Sequence, residues 1–173
     1  MTADSGGGNS LNYASYVIPC RNNNRKQSIE KHFPFITDDA QKVLDRGKQG
    51  CKFTLYKGTP IFYFKPINGV LESSFTPGPF ILLSNVDLEI NVIKHEYGHS
   101  RQFRILGSRY YTKIAVPSVV GYFIAKKSPK YAKYYYSQPS ERSADLLGHV
   151  NWGENETYLK GSDTMSIIYL LLP

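Results

Sequence analysis

The sequence predicts an α+β fold in which a small twisted sheet packs on the helices that follow it. Two runs rich in aromatic and β-branched residues, 53–57 and 61–64, flank the sequence Gly-Thr-Pro at 58–60, which is typical of a hairpin. A third apolar run, residues 79–84, predicts another strand. From residue 87 onward the apolar residues recur at helical spacing instead. Strands followed by helices favour an α+β arrangement over an alternating α/β one.

Length and composition indicate one globular unit. The chain has 173 residues, of which 41% are hydrophobic and 14% aromatic, enough for a substantial core. We expect residues 13–173 to form a single domain, and the polar, glycine-rich residues 1–12 to be a disordered leader or linker. The sequence shows neither a secretory signal peptide nor about 18 consecutive apolar residues that could span a bilayer. Localisation stays open, with export inside a larger protein or by a non-classical route among the alternatives.

The charge is strongly basic, at +7 with a pI near 9.3. Such a surface favours nucleic acid, an anionic membrane or an acidic protein as a partner, without selecting one of them. The cysteines are less informative. Cys20 and Cys51 are compatible with one disulfide or with two buried thiols.

Capping residues predict the bounds of a first helix before the hairpin. The run Thr37-Asp38-Asp39 is typical of a helix N-terminus. We expect the helix to extend through Arg46 and to end at Gly47, since glycine readily leaves the helical conformation. Its inward face would consist of Ala40, Val43 and Leu44.

A second, longer helix is predicted between Asp87 and Gly107. Residues 84–87 offer capping side chains, and the carboxylates of Asp87 and Glu89 would lie in the first turn, where the helix dipole favours negative charge. Arg101 and Arg104 would lie in the last turn, and Gly107 would end the helix in a left-handed conformation.

This second helix carries the most informative sequence, His95-Glu96-Tyr97-Gly98-His99. Histidines four residues apart share one helix face, about 6 Å apart along the axis, so both rings can reach one metal ion. Glu96 could then reach a water on that ion and act as a general base. The alternative is a surface helix with two solvated histidines. An inward orientation is favoured because His95 and His99 share one helix stripe with the apolar residues Leu88, Val92 and Leu106.

A catalytic zinc needs a third protein ligand. Position 105, six residues after His99, is Ile and cannot serve. Glu141 is the best candidate, on a helix opening near Pro139, with Asp145 on the same face to accept a hydrogen bond from a ligand imidazole. His149 is the alternative ligand. It lies eight residues after Glu141, about 12 Å along an unbroken helix, so both cannot bind one ion.

HEYGH followed by Glu141-x-x-Ala-Asp resembles the gluzincin zinc metallopeptidases, in particular the minimal gluzincins and the CAAX prenyl-protease-like peptidases. The resemblance covers residues 79–149 and does not extend to residues 1–75. It implies a zincin-like fold and one Zn²⁺ per chain, with His95, His99 and Glu141 as ligands. It further implies Glu96 as general base and acid, and Asp145 as the hydrogen-bonding partner of a ligand.

The function expected from these residues is zinc-dependent hydrolysis of a protein or peptide substrate. Tyr135, from the tyrosine run 134–136, and His149 are the candidate donors to the oxyanion. A small basic domain also fits a bacterial effector or toxin peptidase, for which an inhibitor or immunity protein is a candidate partner. The alternative function is a nucleic-acid or acidic-partner binding module with a structural or incidental metal site.

Four further segments carry structural predictions, and three of them have two interpretations each. Residues 80–84 would be an edge strand that pairs with a peptide, or an ordinary buried strand. Residues 114–125 favour a buried helical hairpin. The alternative is shallow insertion into a membrane, with Lys126, Lys127, Lys130 and Lys133 on lipid headgroups.

Residues 126–136 favour an amphipathic helix with wet lysines and packed tyrosines over a nucleic-acid surface. Residues 167–172 predict a core element.

Overall fold

The computed structural model describes residues 35–67, 71–152 and 162–171. Within these ranges the chain is α+β, as predicted, with a four-stranded mixed sheet and six helices. The predicted leader, residues 1–12, and Cys20 lie outside the described residues; Cys51 is buried. The strands are β1 (Ile36–Thr37), β2 (Phe53–Tyr56), β3 (Thr59–Phe64) and β4 (Ile81–Ser84). The helices are α1 (Ala40–Lys48), α2 (Ile90–Leu106), α3 (Val116–Lys127), α4 (Ala132–Tyr136), α5 (Pro139–Gly148) and α6 (Ser162–Leu171).

The sheet has the order β1-β2-β3-β4. The outer pairs β1–β2 and β3–β4 are parallel, and β2 and β3 form the predicted antiparallel hairpin. Its turn is Lys57-Gly58, both at positive φ (49° and 75°), the twist that suits a two-residue hairpin. The prediction placed Thr59 and Pro60 in the turn, but both belong to β3.

The sheet packs on α1 and α2 around a core cluster. Asp39 caps α1 by accepting a hydrogen bond from the Gln41 amide at 2.8 Å. The helix continues to Lys48, so the predicted end at Gly47 is wrong. Gly47 is buried inside the helix, where a methyl group at its Cα would lie 2.8 Å from the side chains of both Leu88 and Tyr63. The buried members of the cluster are Ala40, Val43, Leu44, Cys51, Tyr56, Ile61, Tyr63, Ile81, Leu83 and Ile93.

Helix α2 begins later than predicted. Glu89 is its N-cap and Asp87 lies before it, so neither carboxylate is in the first turn. Asp87 instead accepts a hydrogen bond from the Ser74 amide at 2.8 Å, which ties the loop before β4 to the entrance of the helix. The helix ends at Gly107, as predicted, and φ is positive at 57°, but ψ is −132°, so the predicted left-handed helical conformation is not adopted; of the two arginines only Arg104 lies in the last turn.

The outer side of β4 is not a free edge. Leu82 exchanges two backbone hydrogen bonds with Phe75, each 2.9 Å long, and the Ser84 amide donates to the Ser74 hydroxyl. Of the two interpretations of residues 80–84, the free edge that pairs with a peptide is therefore wrong, because residues 74–75 occupy that edge.

Residues 114–125 are not a buried hairpin. A π-helical turn, Tyr111–Ala115, runs directly into α3. Pro117 lies in the first turn of α3, where its missing N–H is no loss, and the glycine packs against α4 instead of breaking the helix. Most of the apolar side chains of α3 are exposed.

The two remaining segments are also less buried than predicted. In α4 and the 3₁₀ turn before it, Tyr131, Tyr134 and Tyr136 are exposed and only Tyr135 is buried. In α6, Leu170 is buried, but Ile167 and Ile168 are about half exposed. Within the described ranges no helix combines the length and apolarity needed to cross a bilayer.

Helices α2 and α5 cross at contact distance through two glycines. A methyl group on Gly98 would lie 1.9 Å from the Ala144 carbonyl oxygen, and one on Gly148 would lie 2.0 Å from the Lys94 carbonyl oxygen. Both contacts are with backbone, which cannot rotate away. The crossing therefore requires glycine at both positions.

Replacing Gly98 with Ala should lower the free energy of unfolding by about 3 kcal/mol, because α2 and α5 must separate. Urea unfolding monitored by circular dichroism measures the change. Gly50→Ala is the matched control: the added methyl meets no atom within 4 Å, but φ is 79°, so only the backbone cost of about 1–2 kcal/mol applies. A Gly98→Ala loss no larger than that of the control would contradict the close crossing.

Candidate metal centre

The crossing of α2 and α5 brings three donor atoms together. His95 Nε2 lies 3.1 Å from His99 Nε2 and 3.2 Å from Glu141 Oε2, and His99 Nε2 lies 3.6 Å from the same oxygen. The two histidines share a face of α2 because they are four residues apart. Glu141 lies in the first turn of α5, which Pro139 begins. Among the described residues this is the group of His, Cys, Asp and Glu side chains close enough to hold a metal ion.

The donor triangle fits a zinc ion. Ligand atoms about 2.0–2.1 Å from a tetrahedral Zn²⁺ stand about 3.3–3.4 Å apart, and the observed separations bracket that value. Glu141 Oε1 is buried without a hydrogen-bond partner, which is costly for a carboxylate unless a cation is nearby. Two imidazoles and one carboxylate are also a set that zinc prefers.

Hydrogen bonds fix the orientation of both imidazoles. His95 Nδ1 lies 2.7 Å from Asp145 Oδ1, and His99 Nδ1 lies 2.7 Å from Gln102 Oε1. Because both partners accept, each Nδ1 carries the proton in the neutral ring and leaves the Nε2 lone pair free. The Gln102 amide is oriented in turn by donating to the Ser140 carbonyl and the Ser143 hydroxyl, 2.7 Å each.

The electrostatics of the cluster favour a positive charge at its centre. Burial raises the pKa of Glu141, but the nearby imidazoles of His99 and His95 outweigh burial, and its net pKa is lowered. Burial lowers the pKa of His95, whereas hydrogen bonds with Asp145 and Glu141 raise it well above its usual value. Both shifts favour a negative charge on Glu141 and a positive charge next to it, which is the arrangement that a divalent cation would satisfy.

Glu96 lies beside the cluster and is buried. Thr76 donates a hydrogen bond to its Oε2 at 2.7 Å, and the same hydroxyl contacts the Glu96 carbonyl oxygen at 2.9 Å. Thr76 is itself held by Tyr110, whose hydroxyl donates to the Thr76 carbonyl oxygen at 2.7 Å. The carboxylate is thus fixed by residues from the loop before β4 and from the segment after α2.

The cluster opens into a cavity of about 460 Å³ between residues 71–77 and α3. His95, Glu96, His99 and Glu141 line the cavity at the cluster, and its other polar lining residues are Glu72, Ser73, Ser74, Thr76, Ser118 and Lys126. Its remaining wall is mainly aromatic and aliphatic. The apolar lining residues are Leu71, Phe75, Pro77, Tyr110, Tyr111, Ala115, Val119, Tyr122, Phe123 and Tyr135.

The two candidate oxyanion donors are far from equivalent. Tyr135 is buried and lines the cavity with Glu141. A methyl group on Gly121 would lie 2.5 Å from the Tyr135 ring, so this glycine allows the tyrosine to approach α3. Burial and the charge of Glu141 raise the pKa of the Tyr135 hydroxyl, which therefore keeps its proton at neutral pH.

His149 is exposed at the C-terminal end of α5, in a left-handed conformation. It neither joins the donor triangle nor lines the cavity. The predictions of His149 as an alternative metal ligand and as an oxyanion donor are therefore not supported by its position.

Sequence reasoning missed Gln102, Thr76 and Tyr110. Gln102 had a usable signal, because it lies three residues after His99 and so shares its helix face. Thr76 and Tyr110 had no such signal. Thr76 is 20 residues from Glu96 along the chain, and Tyr110 is 34 residues from Thr76, to which it donates its hydrogen bond.

Comparison with family models, curated proteins and solved structures gives no match to this chain.

Proposed function

We propose that this protein is a zinc-dependent peptidase of the gluzincin type, with a zincin-like fold. The observation that carries the proposal is the donor triangle of His95, His99 and Glu141 beside the buried carboxylate of Glu96. HEYGH and the downstream Glu141-x-x-Ala-Asp sequence, which resemble gluzincins, fall on these same residues.

An open site supports a catalytic role over a structural one. Structural zinc sites are closed by four protein ligands, whereas catalytic sites keep one position for water or substrate. Here three protein donors meet at the wall of a cavity. The same cavity is lined by Glu96 and Tyr135, so a substrate bound there would contact both.

The chemistry assigned to the chain is proton transfer and positioning. When bound, Zn²⁺ supplies Lewis-acid activation of water and polarises a carbonyl group. The Glu96 carboxylate, held by Thr76, accepts a proton from the attacking water and then delivers it to the departing amine. The Tyr135 hydroxyl donates a hydrogen bond to the oxygen that becomes negative. The apolar wall, with Phe75 and Tyr122, accommodates an apolar side chain next to the scissile bond.

The direct test combines metal analysis with a peptide-library cleavage screen. Purified protein should contain one zinc per chain and cleave peptides in a manner abolished by a chelator and restored by zinc. A protein that binds zinc fully but cleaves no peptide would overturn the peptidase assignment and leave a structural metal module.

Asp145 is proposed as a positioning residue. Asp145→Ala removes the 2.7 Å partner of His95 and should weaken zinc binding roughly 10–100-fold, as measured by competition with a chromogenic chelator. Asp145→Asn should recover much of the affinity, because its amide oxygen can still accept the same hydrogen bond. Equal zinc affinity in wild type and Asp145→Ala, with both folded by circular dichroism, would refute this role.

A further inference from the structure

Helix α3 presents an apolar stripe to solvent. Val116, Val119, Val120, Phe123 and Ile124, here called the α3 surface, are each between 48% and 59% exposed. Their spacing of three and four residues is that of a helix face that normally packs on a core. A contiguous apolar patch of this kind is uncommon on a surface and indicates an interaction site.

The opposite side of the helix explains why this face is turned outward. Gly121 is buried against the ring of Tyr135, and Ser118 and Tyr122 line the metal cavity. Helix α3 therefore uses its small and polar side chains to pack on the protein. Its aliphatic side chains form the outer surface, and Val119 and Phe123 also reach the rim of the cavity.

The surroundings of the α3 surface are basic. From residue 110 to residue 140, the stretch that contains α3, the sequence has no Asp or Glu but five Lys residues. Lys126 forms an ion pair with Glu72 at 2.6 Å. Lys127 and Lys130 are exposed at the C-terminal end of the stripe, followed by the exposed Tyr131 and Tyr134.

We infer that the α3 surface docks on an anionic phospholipid membrane. The helix lies in the plane of the interface, with Val120 and Ile124 at the level of the acyl chains. Lys127 and Lys130 contact lipid phosphates, and Tyr131 lies at headgroup depth. With 12 residues, α3 is too short to span a bilayer, so the association is peripheral.

Two other occupants fit less well. Single-stranded nucleic acid is bound by stacking on aromatic rings, but four of the five side chains of the α3 surface are aliphatic. A second copy related by two-fold symmetry would place the same surface on itself. It would thereby bring together two stretches that contain cations and no acidic residue.

Vesicle flotation tests the inference on the full chain. The protein should float with vesicles of phosphatidylcholine and phosphatidylserine, and much less with phosphatidylcholine alone. The double variant Val120→Gln, Ile124→Gln should bind at least tenfold more weakly, and Lys127→Gln and Lys130→Gln about fivefold more weakly each. Ile36→Gln, the same kind of change at the 49% exposed Ile36 of β1, should bind like wild type.

Several results would overturn the inference. One is that the protein does not float with anionic vesicles. Another is that the double variant floats as well as wild type, which would leave charge alone as the cause of membrane binding. Two further results would assign the α3 surface to another occupant if the double variant abolished them. They are salt-sensitive binding of single-stranded nucleic acid and formation of a dimer in lipid-free solution. Flotation needs neither metal nor cleavage, so its outcome is separate from that of the proposed peptidase.

Discussion

Glu96→Gln should retain zinc and lose peptide cleavage by about 10³-fold, within the 10²–10⁴-fold range of a general base. The amide has the same shape as the carboxylate and can still accept the hydrogen bond from Thr76, which is 2.7 Å long in the wild-type protein. It cannot accept a proton from water, so only the chemical step is affected. Cleavage of the best library peptide by zinc-loaded protein, with metal content measured on the same sample, gives both quantities.

Glu89→Gln is the matched control for this variant. It makes the same change in the N-cap residue of the same helix, where the side chain is exposed and makes no capping hydrogen bond. Its zinc content and cleavage rate should equal those of wild type. A Glu96→Gln protein that cleaves as fast as Glu89→Gln would remove Glu96 from the mechanism.

Local chemistry explains which features the sequence predicted. The hairpin, the Asp39 cap and the glycine end of α2 depend on neighbouring residues, and each lies at or close to its expected position. The pairing of His95 with His99 likewise needs only helical periodicity. Features that depend on distant contacts were not predictable, such as Thr76 on Glu96 or Phe75 on β4.

The contrast is sharpest for α3. Its mostly apolar composition favoured burial in a core. In the structure the opposite side of the helix faces the cavity: Gly121 approaches the Tyr135 ring and Tyr122 lines the wall. With the small and polar side committed to the site, the aliphatic side is left outward. The same helix thus forms the cavity wall and the proposed membrane-docking surface.

Glu141→Gln should abolish stable zinc binding. The variant keeps the volume of a fully buried side chain (1% exposed) but replaces the anionic ligand with a neutral amide. We expect zinc affinity to fall by more than ~100-fold, beyond the effect of losing an outer hydrogen-bond partner. Equilibrium dialysis against a competing chelator measures it, and zinc-dependent thermal stabilisation gives a second readout, since wild type gains about 2.7 kcal/mol at 100 times its Kd. Glu89→Gln should match wild type in both. Full zinc stoichiometry and stabilisation in Glu141→Gln would show that another group completes the site, and would break the link between the donor triangle and the proposed hydrolysis.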